Sequence, residues 1–209
     1  MNEYFNSLNQ LPNSRIIKEM RKYAEKNKVP IINDEGLTLM LQLVELINPK
    51  RFLEIGSAIG FCAINIASIN SDVLIDTIEK NEEMYDQAAR NIFSAKLDNR
   101  INLIYGDALD WDISAIDYKY DMIFIDAAKA QYIKFFEKYQ SYLAEDGIIV
   151  TDNLLFHGLV NQTKSIENKN LKNLVRKIED FNYWLSKNKQ YQTRFLAIGD
   201  GIAISRKVK

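Results

Sequence analysis

Residues 51–61 read Arg-Phe-Leu-Glu-Ile-Gly-Ser-Ala-Ile-Gly-Phe, a short apolar run followed by a turn that begins and ends with glycine. A helical pattern of apolar residues continues from Cys62 to Ala67. Together these features predict a strand, a tight loop and a helix. Gly56 and Gly60 allow positive φ angles and a close approach of the backbone to a ligand. We therefore expect a cofactor to bind at this loop.

The spacing of the two glycines discriminates between cofactor classes. The dinucleotide fingerprint G-x-G-x-x-G requires a glycine where this chain has Ala58, and the phosphate loop of nucleotide triphosphatases requires Lys-Ser/Thr where Phe61 and Cys62 stand. The remaining pattern, E-x-G-x-x-x-G after a first strand, resembles the first motif of class I S-adenosylmethionine-dependent methyltransferases. In that family the loop holds the methionine end of the cofactor. The residues that the resemblance assigns to it are Glu54, Gly56, Ser57 and Gly60. An ordinary glycine-containing turn is the alternative.

Composition limits the classes of protein to which this chain can belong. Its 209 residues are 47% hydrophobic and 26% charged, as in soluble globular proteins. No apolar run reaches the roughly 18 residues of a membrane span, and the polar N-terminus lacks the layout of a secretory signal. The single cysteine, Cys62, excludes an intramolecular disulfide, so we predict a cytoplasmic protein. A net charge of -1 means that any RNA contact needs a local basic patch.

Strand patterns alternate with helical patterns along the chain. Two helices are predicted within residues 1–49; the first has a basic face, expected to be a solvated surface, with a substrate or RNA lid as the alternative. Strands follow from Arg51 and at 72–79, 101–105, 120–126 and 147–152, with a hairpin at 191–197 and 201–205. These elements indicate one α/β domain over residues 1–209, built on a doubly wound, mostly parallel sheet with an antiparallel C-terminal hairpin and an N-terminal helical extension.

Two acidic residues follow predicted strands downstream of the glycine loop. Glu79 ends the second strand about 20 residues after the loop, where an acid can accept hydrogen bonds from both ribose hydroxyls of a nucleoside. Asp107 follows the third strand, and the methyltransferase resemblance assigns its segment, 106–108, to the adenine. The alternatives are a helix-start carboxylate for Glu79 and a simple turn acid for Asp107.

The fourth and fifth predicted strands also end on acids, Asp126 and Asp152, and Asn153 follows directly. Because parallel α/β sheets bind ligands beyond the carboxyl ends of their strands, we expect all four strand-end acids to converge. Two carboxylates and an amide carbonyl are hard oxygen donors, whereas one histidine, His157, and one cysteine cannot furnish an ordinary zinc site. Magnesium or a similar divalent cation is the predicted metal. Either aspartate alone could instead be a helix cap or turn residue.

Three segments resemble the metal-dependent O-methyltransferases related to catechol and caffeoyl-CoA methyltransferases. They are Leu-Glu-Ile-Gly-Ser-Ala-Ile-Gly at 53–60, Phe-Ile-Asp-Ala-Ala-Lys at 124–129 and Thr-Asp-Asn at 151–153. The resemblance covers nearly the whole chain and implies a Rossmann-like, seven-stranded class I methyltransferase. It implies that Asp126, Asp152 and Asn153 coordinate magnesium and that Lys129 is the general base, with Asp126 also in the catalytic group. A solvent-exposed lysine at a helix start is the alternative for Lys129.

The C-terminal half carries a narrower resemblance. Segments 151–160, 181–185, 191–193 and 199–205 resemble bacterial tRNA 5-hydroxyuridine methyltransferases, which make 5-methoxyuridine at the tRNA wobble position. The S-adenosylmethionine contacts that this resemblance implies are Ile32, Cys62, Glu79, Asp107, Ala108 and Asp126. Cys62 stands where a serine is expected, so a backbone contact is available there but a hydroxyl contact is not.

The sequence thus predicts a magnesium- and S-adenosylmethionine-dependent O-methyltransferase that acts on tRNA, forms a homodimer and does not contact membranes. Two groups of basic residues could bind RNA phosphates: Arg15, Lys18, Arg21 and Lys22 in the first helix, and Lys169, Lys172, Arg176 and Lys177 before the hairpin. One alternative keeps the chemistry but replaces tRNA with a small catechol-like phenol. Another is a cofactor-binding module without turnover, which the complete set of predicted metal ligands and base disfavours.

Overall fold

The computed structural model of the protein describes residues 3–208. Within that range the helices, in chain order, are α1 (Glu3–Leu8), α2 (Arg15–Asn27), α3 (Asp34–Ile47), α4 (Phe61–Ile69), α5 (Glu82–Ser94), α6 (Tyr132–Tyr139) and α7 (Lys169–Lys187). The strands are β1 (Arg51–Ile55), β2 (Leu74–Glu79), β3 (Ile101–Tyr105), β4 (Tyr120–Ile125), β5 (Leu143–Thr151), β6 (Tyr191–Leu196) and β7 (Ile202–Lys207).

The strands form one sheet in the order β3-β2-β1-β4-β5-β7-β6. Strand β2 pairs in parallel with both β1 and β3, and β4 pairs in parallel with β5. Strand β7 runs antiparallel to both β5 and β6. The predicted fold class is confirmed: a mostly parallel, seven-stranded α/β sheet that ends in an antiparallel hairpin.

The chain divides into two compact units, one ending at Trp111 and the other beginning at Asp112. In the first unit, residues 52–55 of β1 are all buried, as expected for a strand covered on both faces of a parallel sheet. Residues 61–67 of α4 are buried as well, because this helix is apolar on all sides. Helices α2 and α3 both contact α4. The glycine loop between β1 and α4 therefore connects two fully buried elements.

In the second unit, aromatic rings pack α6 against α7. The ring of Phe181 lies 5.3 Å from that of Tyr132 and 6.4 Å from that of Phe136, measured between centroids. All three side chains are almost completely buried. Tyr132 also donates a hydrogen bond from its hydroxyl to the backbone oxygen of Asp152, at 2.9 Å. The aromatic core thus supports the end of β5, where predicted metal ligands lie.

Apart from shifts of one or two residues at strand ends, such as β2, which begins at Leu74, the observed elements differ from the sequence-based expectation in two places. Helix α1 is not predicted by the sequence, because six residues are too few for a recognisable helical period. Strand β5 begins at Leu143, before the predicted start, since the exposed Glu145 and Asp146 interrupt its apolar pattern. The basic face of α2 is solvated as predicted, since Ile17 and the other buried residues of this helix lie on the opposite face.

Candidate active site

The loop after β1 is a tight turn in which three residues have left-handed backbone conformations. The φ angles are 96° at Gly56, 46° at Ala58 and 79° at Gly60. Backbone N–H groups of Gly56 and Ser57 both donate to the oxygen of Ile78 near the end of β2, at 3.0 and 3.1 Å. This anchoring turns the loop across the end of the neighbouring strand. A side chain at position 56 or 60 would be strained, which is the physical reason for glycine at both positions.

Glu79 lies against this loop, as the prediction required. Its Oε2 accepts a hydrogen bond from the backbone N–H of Ala58 at 2.8 Å, and its Oε1 accepts one from the backbone N–H of Asn81 at 2.8 Å. Each carboxylate oxygen has two acceptor sites, so both oxygens can still accept from ribose hydroxyls. The half-buried Glu79 therefore shapes the loop and remains available to a ligand.

Asp107 lies next to Glu79 because the backbone N–H of Gly106 donates to the oxygen of Glu79 at 2.9 Å. One oxygen of Asp107, Oδ1, accepts from the N–H of Leu109 at 2.9 Å, which is the turn role given above as its alternative. The other, Oδ2, lies 3.9 Å from the Lys80 ammonium and is available to a ligand amine. The turn role and an adenine contact are compatible at this residue.

The other predicted cofactor residues of the first unit are mostly buried. Glu54 is 1% exposed and accepts a hydrogen bond from the Thr77 hydroxyl on β2 at 2.5 Å. Side chains that are also buried belong to Ile32, Ser57, Cys62 and Ala108. Cys62, the single cysteine of the sequence, lies in the first turn of α4. The Glu54 carboxylate therefore joins β1 to β2 one residue before β1 ends and two residues before the glycine loop begins.

Lys129 and Asp126 form an ion pair in the second unit. The Lys129 ammonium lies 3.2 Å from Oδ1 of Asp126, and their side chains are only 24% and 21% exposed. Asp126 directly follows β4, and Lys129 begins a short 3₁₀ turn, Lys129–Gln131, that leads into α6. Lys129 does lie at a helix start, as its alternative required, but it is not a solvent-exposed lysine.

Asp152 directly follows β5, the strand that pairs in parallel with β4. Its backbone N–H donates to the oxygen of Ile125 at 3.2 Å, which sets the ends of β4 and β5 side by side. Burial, and then the negative charge of Asp126, raise the pKa of Asp152 to about 7. The N–H of Asn153 and the Lys129 charge oppose that increase only in part. Without a cation, this carboxyl group therefore exchanges a proton with solvent near neutral pH.

Asn153 completes the predicted metal set and begins a loop with an unusual backbone. Its N–H donates to Oδ1 of Asp152 at 2.6 Å, and its φ angle is 61°. Within the described chain, residues 3–208, no three or more His, Cys, Asp or Glu side chains form a group that could hold a metal ion. Asp126, Asp152 and Asn153 are two carboxylates and one amide, so they do not make up such a group. The metal site stays a prediction.

The sequence pattern of the O-methyltransferase family matches residues 7–208 of this chain. The chain belongs to this family. The caffeoyl-CoA O-methyltransferase of Medicago sativa is 32% identical over 206 residues, which are 92% of this chain and 82% of that protein.

Solved structures of O-methyltransferases show the same fold. A Staphylococcus aureus protein described as a candidate caffeoyl-CoA O-methyltransferase is 43% identical, with a TM-score of 0.93 and coverage of 99% of this chain and 98% of that one. The methyltransferase PaMTH1 of Podospora anserina, solved with S-adenosylhomocysteine bound, has a TM-score of 0.84 at 21% identity and covers 99% and 94% of the two chains. The prediction of an O-methyltransferase enzyme is confirmed at the level of the family.

Two residues of this O-methyltransferase escape prediction from the sequence. Tyr132 supports the backbone of Asp152, and burial, followed by the charges of nearby acids including Asp126, raises its pKa well above the ordinary value. Asp200 lies in the β6–β7 turn, where the sequence indicated only a hairpin. A carboxylate within the hairpin turn was the available signal for Asp200, whereas no local signal marked Tyr132. Among the described helices, none is long and apolar enough to span a membrane.

Proposed function

We propose that this O-methyltransferase transfers a methyl group from S-adenosylmethionine to a hydroxyl group with the help of Mg²⁺, and that its substrate is 5-hydroxyuridine at the tRNA wobble position. The observation that carries the chemistry is the Lys129–Asp126 pair beside the buried Asp152. Deprotonation of a hydroxyl group requires a base within reach of it, and Lys129 is the candidate base.

The first unit supplies the cofactor residues of this proposal. The loop at residues 56–60 would hold the methionine end of S-adenosylmethionine, Glu79 the ribose and Asp107 the adenine. Support comes from the bond of the Ala58 N–H, which places Glu79 against the loop, and from the acceptor sites that Glu79 retains. The Podospora anserina relative, which binds S-adenosylhomocysteine, shares this fold. The cofactor supplies an electrophilic methyl group, and the protein's share is to hold it in line with the nucleophile.

The residues of the second unit fit a magnesium ion. Asp126, Asp152 and Asn153 offer the hard oxygen atoms that Mg²⁺ prefers. Asp152 has a pKa of about 7 because it is buried and lies near the negative charge of Asp126. A divalent cation bound by both carboxylates would offset this negative charge. When bound, the ion would supply positive charge that makes an acceptor hydroxyl easier to deprotonate. Lys129, held beside Asp126, is positioned to take that proton once its own ammonium group has lost one, because only the neutral amine has a lone pair.

The choice of substrate rests on the C-terminal segments and on α7. Lys169, Lys172, Arg176 and Lys177 form no ion pair with any residue in the described range, and three of them are exposed. In α2, by contrast, Arg15 pairs with Glu19 at 2.8 Å and Arg21 with Asp34 at 2.6 Å. Helix α7 therefore offers more uncompensated positive charge to RNA phosphates than α2 does.

A small phenolic substrate is the second candidate. The observation that favours it is the pair of relatives, from Medicago sativa and Staphylococcus aureus, that are described as caffeoyl-CoA O-methyltransferases. Such a substrate would use the same base and cofactor residues. It would not need the exposed cations of α7, which separates the two candidates by experiment.

Mass spectrometry of tRNA nucleosides from a strain that lacks this protein tests the proposal. We expect 5-methoxyuridine to disappear and 5-hydroxyuridine to accumulate, and expression of the wild-type protein to restore the methylated nucleoside. Expression of Lys129→Met should not restore it, whereas Lys134→Met, at an exposed position of α6, should. Unchanged 5-methoxyuridine together with efficient methylation of catechols by the purified protein would establish the phenolic candidate instead.

A further inference from the structure

The loop that follows the predicted metal ligands has a backbone that needs external support. Asn153, Phe156 and His157 have φ angles of 61°, 46° and 55°, all in the left-handed region that side-chain-bearing residues avoid. Gly158 and Asn161 continue this pattern with φ angles of 76° and 66°. Such conformations persist only where the surrounding structure holds them in place.

The turn of the β6–β7 hairpin provides this support through three hydrogen bonds. The N–H of Leu154 donates to the oxygen of Gly201 at 2.9 Å, and the N–H of Leu155 donates to the oxygen of Asp200 at 2.7 Å. The N–H of His157 donates to Oδ1 of Asp200 at 2.5 Å. The approach is so close that a Cβ atom on Gly201 would lie 2.8 Å from the backbone nitrogen of Leu155.

Of these three bonds, only one depends on a side chain, that of Asp200. Its Oδ2 is buried, has no hydrogen-bond partner among residues 3–208, and lies 3.7 Å from Nδ1 of His157. The negative charge of Asp200 also contributes to the raised pKa of Asp152. A buried, partly unsatisfied carboxylate beside other acids is unfavourable. An acid at position 200 therefore needs another reason, and the hydrogen bond that Asp200 accepts from the His157 N–H supplies one.

We propose that Asp200 is a positioning residue for the predicted metal site. Through the His157 N–H, its carboxylate holds the backbone of the loop at residues 153–158, four of which are left-handed, and so determines where Asp152 and Asn153 present their oxygen atoms. The role depends on the geometry of the accepted hydrogen bond and not on the charge of Asp200. The link to the metal rests on the proposed function, whereas the effect on the loop does not.

Two substitutions separate geometry from charge. Asp200→Asn keeps an acceptor oxygen at the same distance from the backbone but removes the charge, whereas Asp200→Glu keeps the charge and moves the oxygen by one methylene group. Asp200→Ala removes both. His157→Ala retains the backbone N–H that donates the bond, so it tests whether the imidazole contributes.

Glu179 on α7 offers a matched control on the same loop. Its Oε1 accepts a hydrogen bond from the backbone N–H of Asn161 at 2.7 Å, and Asn161 is also left-handed. Both contacts join a carboxylate to a backbone N–H of the loop. The Glu179 contact, at Asn161, lies eight residues beyond Asn153, and the Asp200 contact, at His157, lies between the two positions. Glu179→Ala should therefore loosen the loop near Asn161 and leave residues 153–157 unchanged.

Hydrogen–deuterium exchange of the metal-free protein is the first measurement. Asp200→Ala and Asp200→Glu should raise exchange over residues 153–158, with Asp200→Asn and His157→Ala close to wild type. The second measurement is Mg²⁺ binding by calorimetry, where Asp200→Ala and Asp200→Glu should weaken affinity about tenfold or more, the effect of removing a residue that orients metal ligands. S-adenosylmethionine affinity, measured in parallel, should not change.

The outcomes are distinguishable. Two results would overturn the positioning role in favour of a role for charge. One is exchange over residues 153–158 in Asp200→Glu that equals wild type. The other is exchange in Asp200→Asn that rises as much as in Asp200→Ala. Exchange that rises as expected in a protein that binds no Mg²⁺ would support the hold on the loop and would instead refute the metal part of the proposed function.

Discussion

Lys129 and Glu79 show how tertiary contacts distinguish a partnered, partly buried side chain from a solvent-exposed one. Either side chain, seen in the sequence alone, could be a charged group at the start of a helix. In the structure, Lys129 is mostly buried against Asp126, and Glu79 accepts two backbone hydrogen bonds, one of them from the glycine loop. These partners give each residue a specific expected contribution to methyl transfer.

Replacing Lys129 with methionine should reduce kcat by about 10²–10⁴-fold, the usual contribution of a general base. Methionine keeps the length and apolar stem of the side chain but cannot accept a proton. The measurement is steady-state methyl transfer to hydroxyuridine-containing tRNA, with Lys134→Met on the exposed face of α6 as the control. Nearly full activity in Lys129→Met would show that another group takes the proton.

Replacing Glu79 with alanine should weaken S-adenosylmethionine binding by roughly 1.5–3 kcal/mol, since the charge-assisted hydrogen bonds to the ribose would be absent. The loop would also lose the bond at the N–H of Ala58. Calorimetry measures the affinity, and Glu82→Ala, at an exposed position in the first turn of α5, is the control. Equal affinity in wild type and Glu79→Ala would remove this residue from the cofactor site.

At the scale of secondary-structure elements, α7 has two faces with different tasks. Val175, Ile178, Phe181 and Leu185 are buried and pack the helix onto the second unit, where Phe181 contacts the rings of α6. The opposite face carries the exposed cations of the proposed RNA contact. Because the two faces do not share residues, the charged face can be altered without disturbing the core.

Reversing the charge of Arg176 and Lys177 to glutamate should weaken the apparent affinity for tRNA and leave S-adenosylmethionine binding unchanged. For every phosphate that the variant no longer binds, the log–log slope of tRNA affinity against salt concentration should also become shallower by about one unit. The same reversal at Lys18 and Lys22 of α2 is the control. If both pairs of substitutions act alike, or neither acts, α7 has no special part in RNA binding.

For the whole molecule, the balance of charge determines the expected affinity for RNA, and the buried Asp152 determines part of the pH dependence of stability. With 27 basic and 28 acidic side chains, the protein has no general attraction to RNA, so modest affinity and a local contact surface are expected.

The raised pKa of Asp152 links global stability to pH. A folded-state pKa above the unfolded value of 3.8 means that the folded protein binds the proton more tightly.

Without metal, the free energy of unfolding should therefore fall through the contribution of Asp152 as pH rises from about 4 to about 7, and this contribution should level off above 7. Asp152→Asn should remove that part of the pH dependence. Because Mg²⁺ binds the ionised carboxylate, it should stabilise the protein more at pH 8 than at pH 6, and EDTA should reverse the effect. Thermal unfolding at both pH values measures this; equal Mg²⁺ effects in wild type and Asp152→Asn would exclude Asp152 as a ligand.

The sequence by itself determined the fold class and the strand-end positions of the acids. These follow from local signals: the glycine spacing at 56–60, the apolar strands and the order in which strands and helices alternate. Glu79 and Asp107 could be predicted because parallel strands present their carboxyl ends on one edge, whatever the details of packing.

Only the tertiary structure decided which of these side chains interact and how strongly. The burial of Lys129, the pKa of Asp152 and the hold of Asp200 on His157, 43 residues away in the chain, depend on the pairing of β4, β5 and β7. No local pattern encodes such contacts, because they join residues that are distant in the chain and depend on side-chain burial. The sequence therefore predicted the candidate residues, and the packed structure determined the electrostatics and hydrogen bonds through which they can act.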